Sequence, residues 1–245
     1  MRKIIALEQN RFASRLGQGI SEAVPEIQLR RVSASLAEIT IGFVHSAADI
    51  QKALDITYDS KVQYPAACNA AETLLLHQAV SREFLPQLVS KLNTAGVELR
   101  GCPRTVALLQ NKAIVHASDQ DWSAEYSDLI LSVKIVDSLE DAIEHIHRYG
   151  SGHTEAIVTE DREAAARFMN GVDAAGVYHN ASTRFADGYR YGLGAELGIS
   201  TNKLHSGGPM GLEGLTTYKY KLFGDGDTVA PYVKGENHFK HRVLE

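Results

Sequence analysis

Cysteine is scarce in this chain, because Cys68 and Cys102 are its only two cysteines among 245 residues. A disulfide-stabilised secreted scaffold is therefore excluded, and two isolated thiols fit a reducing compartment, so we expect a cytoplasmic protein. Long apolar runs are also lacking, since Glu8 interrupts the amino-terminal segment before a signal-type core develops. We expect no secretory signal and no membrane-spanning helix.

The sequence also lacks a net positive charge and the common nucleotide-binding motifs. The formal net charge is −5, which gives no electrostatic basis for binding nucleic acid. Gly192-Leu193-Gly194 has no third glycine at the spacing of a dinucleotide fingerprint, and the chain contains no Gly-Lys-Ser/Thr. The nucleotide-binding half of a typical oxidoreductase is therefore not visible in this sequence.

Histidine and cysteine show no spacing that is typical of a metal site, so we assign no metal. His145 and His147 are two residues apart on a predicted helix, so they face different directions, and we expect both on a solvated surface. The remaining candidates, His153, His179 and His205, are isolated in the sequence.

The composition that is present predicts a globular α/β protein. Hydrophobic residues make up 44% of the chain and charged residues 22%, which is enough apolar material for a real core. From residue 38 onward, short apolar runs alternate with helical patterns. We divide the chain into a basic arm or remnant at 1–36, a main domain at 37–233 and a tail at 234–245.

The pattern also predicts individual elements. Ser46 is expected to cap a first helix whose buried face carries Ala53, Leu54 and Thr57, and Tyr64-Pro65 is expected to end it. Further helices are predicted at 82–94, from Ser138 to Gly150 and at 164–169, with strands at 73–77, 97–99, 128–136, 154–159, 176–179 and 215–222.

Cys68 is the candidate nucleophile. It lies on the predicted connection before the strand at 73–77, in a run of small residues that follows Pro65, so a substrate could reach its sulfur. Composition alone favours a small core residue at this position, and Cys102 is interpreted as structural or merely exposed. The glycine-rich segment 180–214 is predicted to be a ligand-binding loop or a packing interface.

Four separated motifs, in order, resemble the γ-glutamyl phosphate reductase family, also called glutamate-5-semialdehyde dehydrogenase, of the aldehyde dehydrogenase superfamily. The resemblance covers about residues 38 to 233. The motifs are Tyr64-Pro65-Ala66-Ala67-Cys68-Asn69-Ala70-Ala71-Glu72-Thr73, Gly150-Ser151-Gly152-His153-Thr154-Glu155, His179-Asn180-Ala181-Ser182-Thr183-Arg184-Phe185 and Gly192-Leu193-Gly194-Ala195-Glu196-Leu197-Gly198.

The resemblance implies an aldehyde-dehydrogenase-like catalytic domain with a mostly parallel sheet flanked by helices. It also implies NADPH-dependent reduction of L-glutamyl 5-phosphate to L-glutamate 5-semialdehyde in proline biosynthesis, through a thioester on Cys68. By the same resemblance, Glu125 contacts the nicotinamide ribose, although an ordinary solvent-facing acid is an equal alternative. Ser182, Thr183 and Arg184 receive the amino-acid end of the substrate, and Asn180 shapes that loop.

Two departures from the family pattern bear on function. The family has a preceding cofactor domain, which supplies most NADPH contacts and an oxyanion-hole asparagine, and residues 1–36 are too short to replace it, so we expect that domain to be largely missing. Gly207 stands where the family usually has Arg. NADPH and NADH are therefore not distinguished by this sequence.

Two alternatives remain open beside the reductase. The chain is either a truncated, inactive domain that folds or binds another protomer, or a cysteine hydrolase that pairs Cys68 with a histidine. We expect a small-molecule substrate and a homodimer or higher homo-oligomer, because the superfamily commonly exchanges terminal strands such as 215–222.

Overall fold

A seven-stranded parallel sheet forms the centre of the computed structural model, which describes residues 37–110, 114–203, 207–217 and 219–239. The predicted arm at 1–36, His205 and the end of the tail lie outside the described residues. The strand order is β4-β3-β5-β2-β1-β6-β7, and every pairing in this sheet is parallel. The strands are β1 Thr40–Val44, β2 Ala71–His77, β3 Glu98–Gly101, β4 Ile114–His116, β5 Ile130–Val136, β6 Thr154–Val158 and β7 Gly176–His179.

Helices cover both faces of the sheet and divide the core in two. On one face β2 packs Leu74 and Leu76 against α1 (Ile50–Val62) and α2 (Gln78–Thr94). On the other face Leu75 lies with Phe43 and Phe168 near α4 (Leu139–Tyr149) and α5 (Arg162–Gly171). Because both faces are covered, residues 71–76 of β2 are all buried. A parallel sheet with helices on both faces confirms the predicted α/β class. The helices are α1 Ile50–Val62, α2 Gln78–Thr94, α3 Pro103–Leu109, α4 Leu139–Tyr149, α5 Arg162–Gly171 and α6 Ala230–Val233.

Two predicted helix starts are wrong. The cap of α1 is Asp49 rather than Ser46, because the Asp49 carboxylate accepts a hydrogen bond from the Lys52 N–H at 2.7 Å. Helix α2 begins at Gln78, four residues before the predicted start, because the His77 ring accepts from the Ala79 N–H at 3.1 Å and ends β2 at once.

Helix α4 has the predicted ends but a different buried face. The Ser138 hydroxyl caps it by accepting from the Asp141 N–H at 3.1 Å, and Gly150 ends it, where a Cβ atom would lie 2.7 Å from the Ile146 carbonyl oxygen. The prediction that His145 is solvated is wrong, because His145 is buried on the sheet-facing side against Trp122. His147 is exposed, as expected.

Glu155 is an unusual buried acid in β6. Its carboxylate accepts a hydrogen bond from the Ile41 N–H at 2.8 Å, at the point where the register between β1 and β2 shifts. Burial raises the pKa of Glu155 well above its ordinary value, because a charged carboxylate is poorly solvated there.

The carboxyl-terminal segment contains an antiparallel hairpin of β8 Gly198–Ser200 and β9 Gly208–Met210. The predicted strand at 215–222 is wrong: Glu213–Leu215 is a 3-10 turn, and no strand forms at 216–217 or 219–222. A strand needs a partner for its backbone groups, and the described part of the chain offers this segment none. The segment does not pack on the sheet either, and Leu222 is 97% exposed. None of the described helices is long and apolar enough to cross a membrane.

Candidate active site

Four polar side chains converge where strands of the sheet begin. Glu38 precedes β1, Cys68 precedes β2, Glu125 precedes β5 and His153 precedes β6. These strands are neighbours in the order β5-β2-β1-β6. Because all run in parallel, their amino ends lie at one edge of the sheet, and the residues in front of them come together there.

The turn that carries Cys68 is held from three directions. The Thr40 hydroxyl donates to the Cys68 carbonyl oxygen at 3.3 Å, and the Thr183 hydroxyl donates to the Asn69 carbonyl oxygen at 2.7 Å. The Asn69 amide in turn donates to the Ala186 carbonyl oxygen at 2.7 Å. The predicted connection before β2 is thus confirmed, and the segment after β7 packs directly on it.

The surroundings of Cys68 favour a neutral thiol. Its side chain is partly buried, its thiol is hydrogen-bonded to the Glu38 carboxylate, and the charge of Glu196 also acts on it. Burial and these two carboxylates raise the pKa of Cys68 to about 12. The structure therefore places Cys68 at a shared edge but does not itself stabilise the thiolate.

His153 is the functional candidate that the sequence did not single out. It is fully buried, its Nδ1 lies 2.9 Å from the Thr154 hydroxyl, and its Nε2 lies 3.7 Å from a Glu38 carboxylate oxygen. One ring nitrogen of His153, one Glu38 oxygen and the Cys68 sulfur all lie within 4.8 Å of one another. His153 is isolated in the sequence, 85 residues from Cys68, but β1 pairs with both β2 and β6 and so brings the two residues to the same end of the sheet.

The same cluster has a neutral imidazole. Burial lowers the pKa of His153 to about 4, and its Nε2 has no hydrogen-bond partner among the residues described. An imidazole in this state can accept a proton or a metal ion at Nε2. The Gly-Ser-Gly-His-Thr motif was the sequence signal that could have identified it.

Glu125 lies beside this cluster, because its carboxylate accepts a hydrogen bond from the Glu38 N–H at 3.0 Å. Behind it, the Lys61 ammonium and the Glu72 carboxylate form a buried ion pair at 2.8 Å. Burial lowers the pKa of Lys61 and raises that of Glu72 to about 7. Lys61 follows Leu54 and Thr57 at helical spacing, a signal that could have predicted its burial.

The predicted substrate loop partly serves as packing. The Ser182 hydroxyl accepts from the Ser60 hydroxyl, and the Thr183 N–H donates to the same Ser60 oxygen, both at 3.2 Å. The two serines and Thr183 are buried, so their polar groups join α1 to the segment after β7. Thr183 reaches the Cys68 turn through Asn69, as described above.

Arg184 is a buried cation with unused donor capacity. Its Nε donates to the Gln63 side chain at 2.8 Å, while its Nη1 is buried with no hydrogen-bond partner in the described part of the chain. Burial and the nearby Arg190 lower the pKa of Arg184, whereas the field of Cys68 opposes that shift. A carboxylate or phosphate oxygen is the group that such a guanidinium can bind.

Asn180 stands apart from these residues. Its side chain accepts from the Thr159 N–H and donates to the Thr159 carbonyl oxygen, each at 2.9 Å. Thr159 follows the carboxyl end of β6, whereas His153 precedes its amino end, so this contact lies at the opposite edge of the sheet. The structure shows Asn180, at φ 52°, fixing the start of the loop.

Comparison with known proteins identifies close relatives. No protein-family profile matches the chain. It is 60% identical over 201 residues to a gamma-glutamyl phosphate reductase of Synechococcus sp. (strain JA-3-3Ab), covering 82% of this chain and 44% of that protein. It is 55% identical over 195 residues to a gamma-glutamyl phosphate reductase of Haloquadratum walsbyi, covering 78% and 43%. The chain thus spans less than half the length of these relatives.

Solved structures agree with these relatives. The gamma-glutamyl phosphate reductase of Thermotoga maritima matches with a TM-score of 0.74 and 45% identity, covering 78% of this chain and 46% of that one. That of Saccharomyces cerevisiae matches with a TM-score of 0.50 and 34% identity, covering 69% and 44%. An acetylating aldehyde dehydrogenase of Geobacillus thermoglucosidasius, with a TM-score of 0.53, 16% identity and coverage of 77% and 52%, shows that the fold is shared more widely.

Proposed function

We propose, from the homology of 82% of this chain to gamma-glutamyl phosphate reductases, that it provides the acyl-accepting thiol of such an enzyme. The observation that carries the proposal is the position of Cys68 on a turn fixed by Thr40 and Thr183, beside a neutral imidazole and a buried guanidinium. The reaction is the reduction of L-glutamyl 5-phosphate to L-glutamate 5-semialdehyde in proline biosynthesis, in the cytoplasm.

Cys68 acts by nucleophilic catalysis. The thiol proton is lost to solvent, the sulfur forms a bond to the acyl carbon, and the bond from that carbon to the phosphate oxygen breaks. Once the acyl carbon has been reduced, the carbon–sulfur bond breaks, the aldehyde leaves and the thiolate takes up a proton from solvent. Sulfur suits both steps because it is a strong nucleophile and a good leaving group.

Arg184 binds the anionic end of the substrate. Its Nη1 is the buried donor without a protein partner, and its charge interacts with Cys68. A substrate carboxylate or phosphate at Nη1 would satisfy that donor. Ser182, Thr183 and Asn180 support the binding loop that carries Arg184.

NADPH is the cofactor that this reaction uses, and it supplies hydride when bound. Glu125 fits a contact with its ribose, because the carboxylate is partly exposed and is bonded to the backbone of Glu38, next to the Cys68 cluster. We expect the 245-residue chain to bind NADPH weakly, because it carries no dinucleotide fingerprint. A micromolar dissociation constant in a fluorescence titration would contradict that expectation.

Acylation can be tested without cofactor. We expect the purified chain to release phosphate from L-glutamyl 5-phosphate and to carry the glutamyl group on the peptide that contains Cys68, detected by mass spectrometry. Cys68→Ser should abolish the adduct, and Cys102→Ser is the matched control, because the Cys102 sulfur is buried against Thr105. An adduct that persists in Cys68→Ser would exclude this role.

The raised pKa of Cys68 favours a second candidate, an inactive domain that retains only folding or protomer binding. In that case neither phosphate release nor adduct appears at any pH at which the chain is folded. Wild-type reductase activity that depends on Cys68 would overturn this candidate. For both candidate functions we propose that the protein is a homodimer or a higher homo-oligomer.

A further inference from the structure

The Cys68 cluster combines the three ligand types that bind zinc. A thiol sulfur, an imidazole nitrogen and a carboxylate oxygen, from Cys68, His153 and Glu38, lie within 4.8 Å of one another. Ligand atoms around a tetrahedral Zn²⁺ are about 3.3 to 3.8 Å apart, since each lies about 2.0 to 2.3 Å from the ion. The His153 Nε2 and the Glu38 oxygen are already 3.7 Å apart.

His153 is prepared for such a role by its surroundings. Its Nδ1 lies 2.9 Å from the Thr154 hydroxyl, and its Nε2 lies on the other side of the ring, 3.7 Å from a Glu38 oxygen. The Nε2 is fully buried and has no hydrogen-bond partner among the described residues. A buried nitrogen aimed at two other ligand groups is an unsatisfied acceptor, and a metal ion would satisfy it.

The charge around the cluster favours a cation. The carboxylates of Glu38 and Glu196 both act on Cys68, and Glu125 is bonded to the Glu38 backbone. Of the described cations near the cluster, Lys61 is paired with Glu72 at 2.8 Å, while the Arg184 guanidinium also acts on Cys68 and opposes part of this negative charge. A bound Zn²⁺ would offset the carboxylates and would displace the thiol proton to solvent, because a coordinating thiol is deprotonated.

We propose that Cys68, His153 and Glu38 form a zinc site that blocks the nucleophile. The sulfur and nitrogen donors favour Zn²⁺ over Mg²⁺ or Ca²⁺, which prefer oxygen ligands. With three protein ligands, a fourth position stays open to solvent or to a small anion. When Zn²⁺ occupies this site, the Cys68 thiol becomes a metal-bound thiolate. Its lone pair is then no longer available to attack an acyl carbon.

Direct metal binding tests this site independently of reductase activity. We expect the chain to bind one Zn²⁺ in competition with a chromogenic chelator, and Co²⁺ to give a sulfur-to-metal charge-transfer absorption in the near ultraviolet. Cys68→Ser should remove that absorption and Glu38→Gln should weaken zinc binding about tenfold or more. Matched controls are Cys102→Ser and His147→Ala, which replace a thiol and an imidazole outside the cluster.

His153→Ala should also abolish zinc binding, with folding checked by circular dichroism. If that variant does not fold, the wild-type protein can be tested by alkylation of Cys68 with iodoacetamide. Zn²⁺ should slow this reaction, and a chelator should restore its rate. The proposal is overturned by zinc binding that survives both Cys68→Ser and Glu38→Gln, or by alkylation of Cys68 that is unaffected by Zn²⁺.

Discussion

At the scale of single residues, burial and then Glu38 lower the reactivity of Cys68. The Glu38 carboxylate accepts a hydrogen bond from the thiol and repels the thiolate charge. The same carboxylate faces His153 at 3.7 Å. Glu38 therefore lowers the reactivity of Cys68 and also completes the proposed zinc site.

Replacing Glu38 should activate the thiol. In Glu38→Gln the repelling charge is lost, so the pKa of Cys68 should fall by on the order of one unit. The measurement is the pH dependence of the iodoacetamide alkylation rate, which should shift to lower pH. Glu144→Gln, on the exposed side of α4, is the control. An unchanged profile would show that burial alone sets the pKa.

We expect the Thr183 hydroxyl to stabilise the turn that carries Cys68. Thr183→Val removes the hydroxyl that donates to the Asn69 carbonyl oxygen and leaves that buried acceptor unsatisfied. The free energy of unfolding in urea should fall by about 1 to 2 kcal/mol. Thr183→Ser keeps the donor and should lose much less. Equal losses in both variants would mean that the methyl group, not the hydroxyl, stabilises the turn.

At the scale of elements, the strands explain what could and could not be predicted. The run Leu74-Leu75-Leu76 predicted β2 because both of its faces are buried. Ser138 and Gly150 predicted α4 because their roles depend on neighbouring backbone groups. The start of α2 was mislocated because the His77 ring acts as the cap, which is not a usual cap residue.

The site was only partly predictable, because some of its residues are brought together by strand order and not by local sequence. Cys68 was found from its local run, and Arg184 from a motif that resembles a family. The proximity of Glu38 and His153 depends on which strands are neighbours, and strand order is not encoded in local spacing. The roles of Glu125, Asn180 and Ser182 remain predictions until a ligand is bound.

The pairing of β1 with β6 should make stability depend on pH through Glu155. The folded pKa is raised above the ordinary value of 4.5, so above that pH the folded state binds more protons than the unfolded state until the folded pKa is reached. The stabilisation is fully present below pH 4.5, and the free energy of unfolding should fall as pH rises from there, by at most about 1.4 kcal/mol per pH unit.

Glu155→Gln separates this effect from other titrations. The glutamine side chain can still accept from the Ile41 N–H but does not titrate. Urea unfolding across the same pH window should give a flatter dependence for the variant than for the wild type. Parallel curves for the two proteins would assign the pH dependence to other groups.

At the scale of the whole molecule, the carboxyl-terminal segment exposes apolar side chains that a sheet has not covered. Leu222 is 97% exposed and Phe223 is 90% exposed. Such a concentration of large apolar groups is typical of an interaction surface. A second copy of this chain is the partner that we propose, consistent with the expected homo-oligomer.

Sedimentation velocity can measure that association. We expect the chain to self-associate, and Leu222→Glu combined with Phe223→Lys to raise the dissociation constant at least about tenfold. Met169→Glu, at an exposed apolar position on α5, is the matched control and should leave association unchanged. A monomeric wild type at high concentration would exclude this surface as a self-interface.

The arrangement of the site at one edge of the parallel sheet also has a use in protein engineering. The turns at 45–49 and 137–138 leave the opposite ends of β1 and β5, so they are separated from Cys68 by the length of a strand. A fluorescent reporter inserted at 45–48, before the Asp49 cap of α1, would be attached at the end of β1 opposite to the cluster. Such a fusion could report occupancy of the thiol inside a living cell.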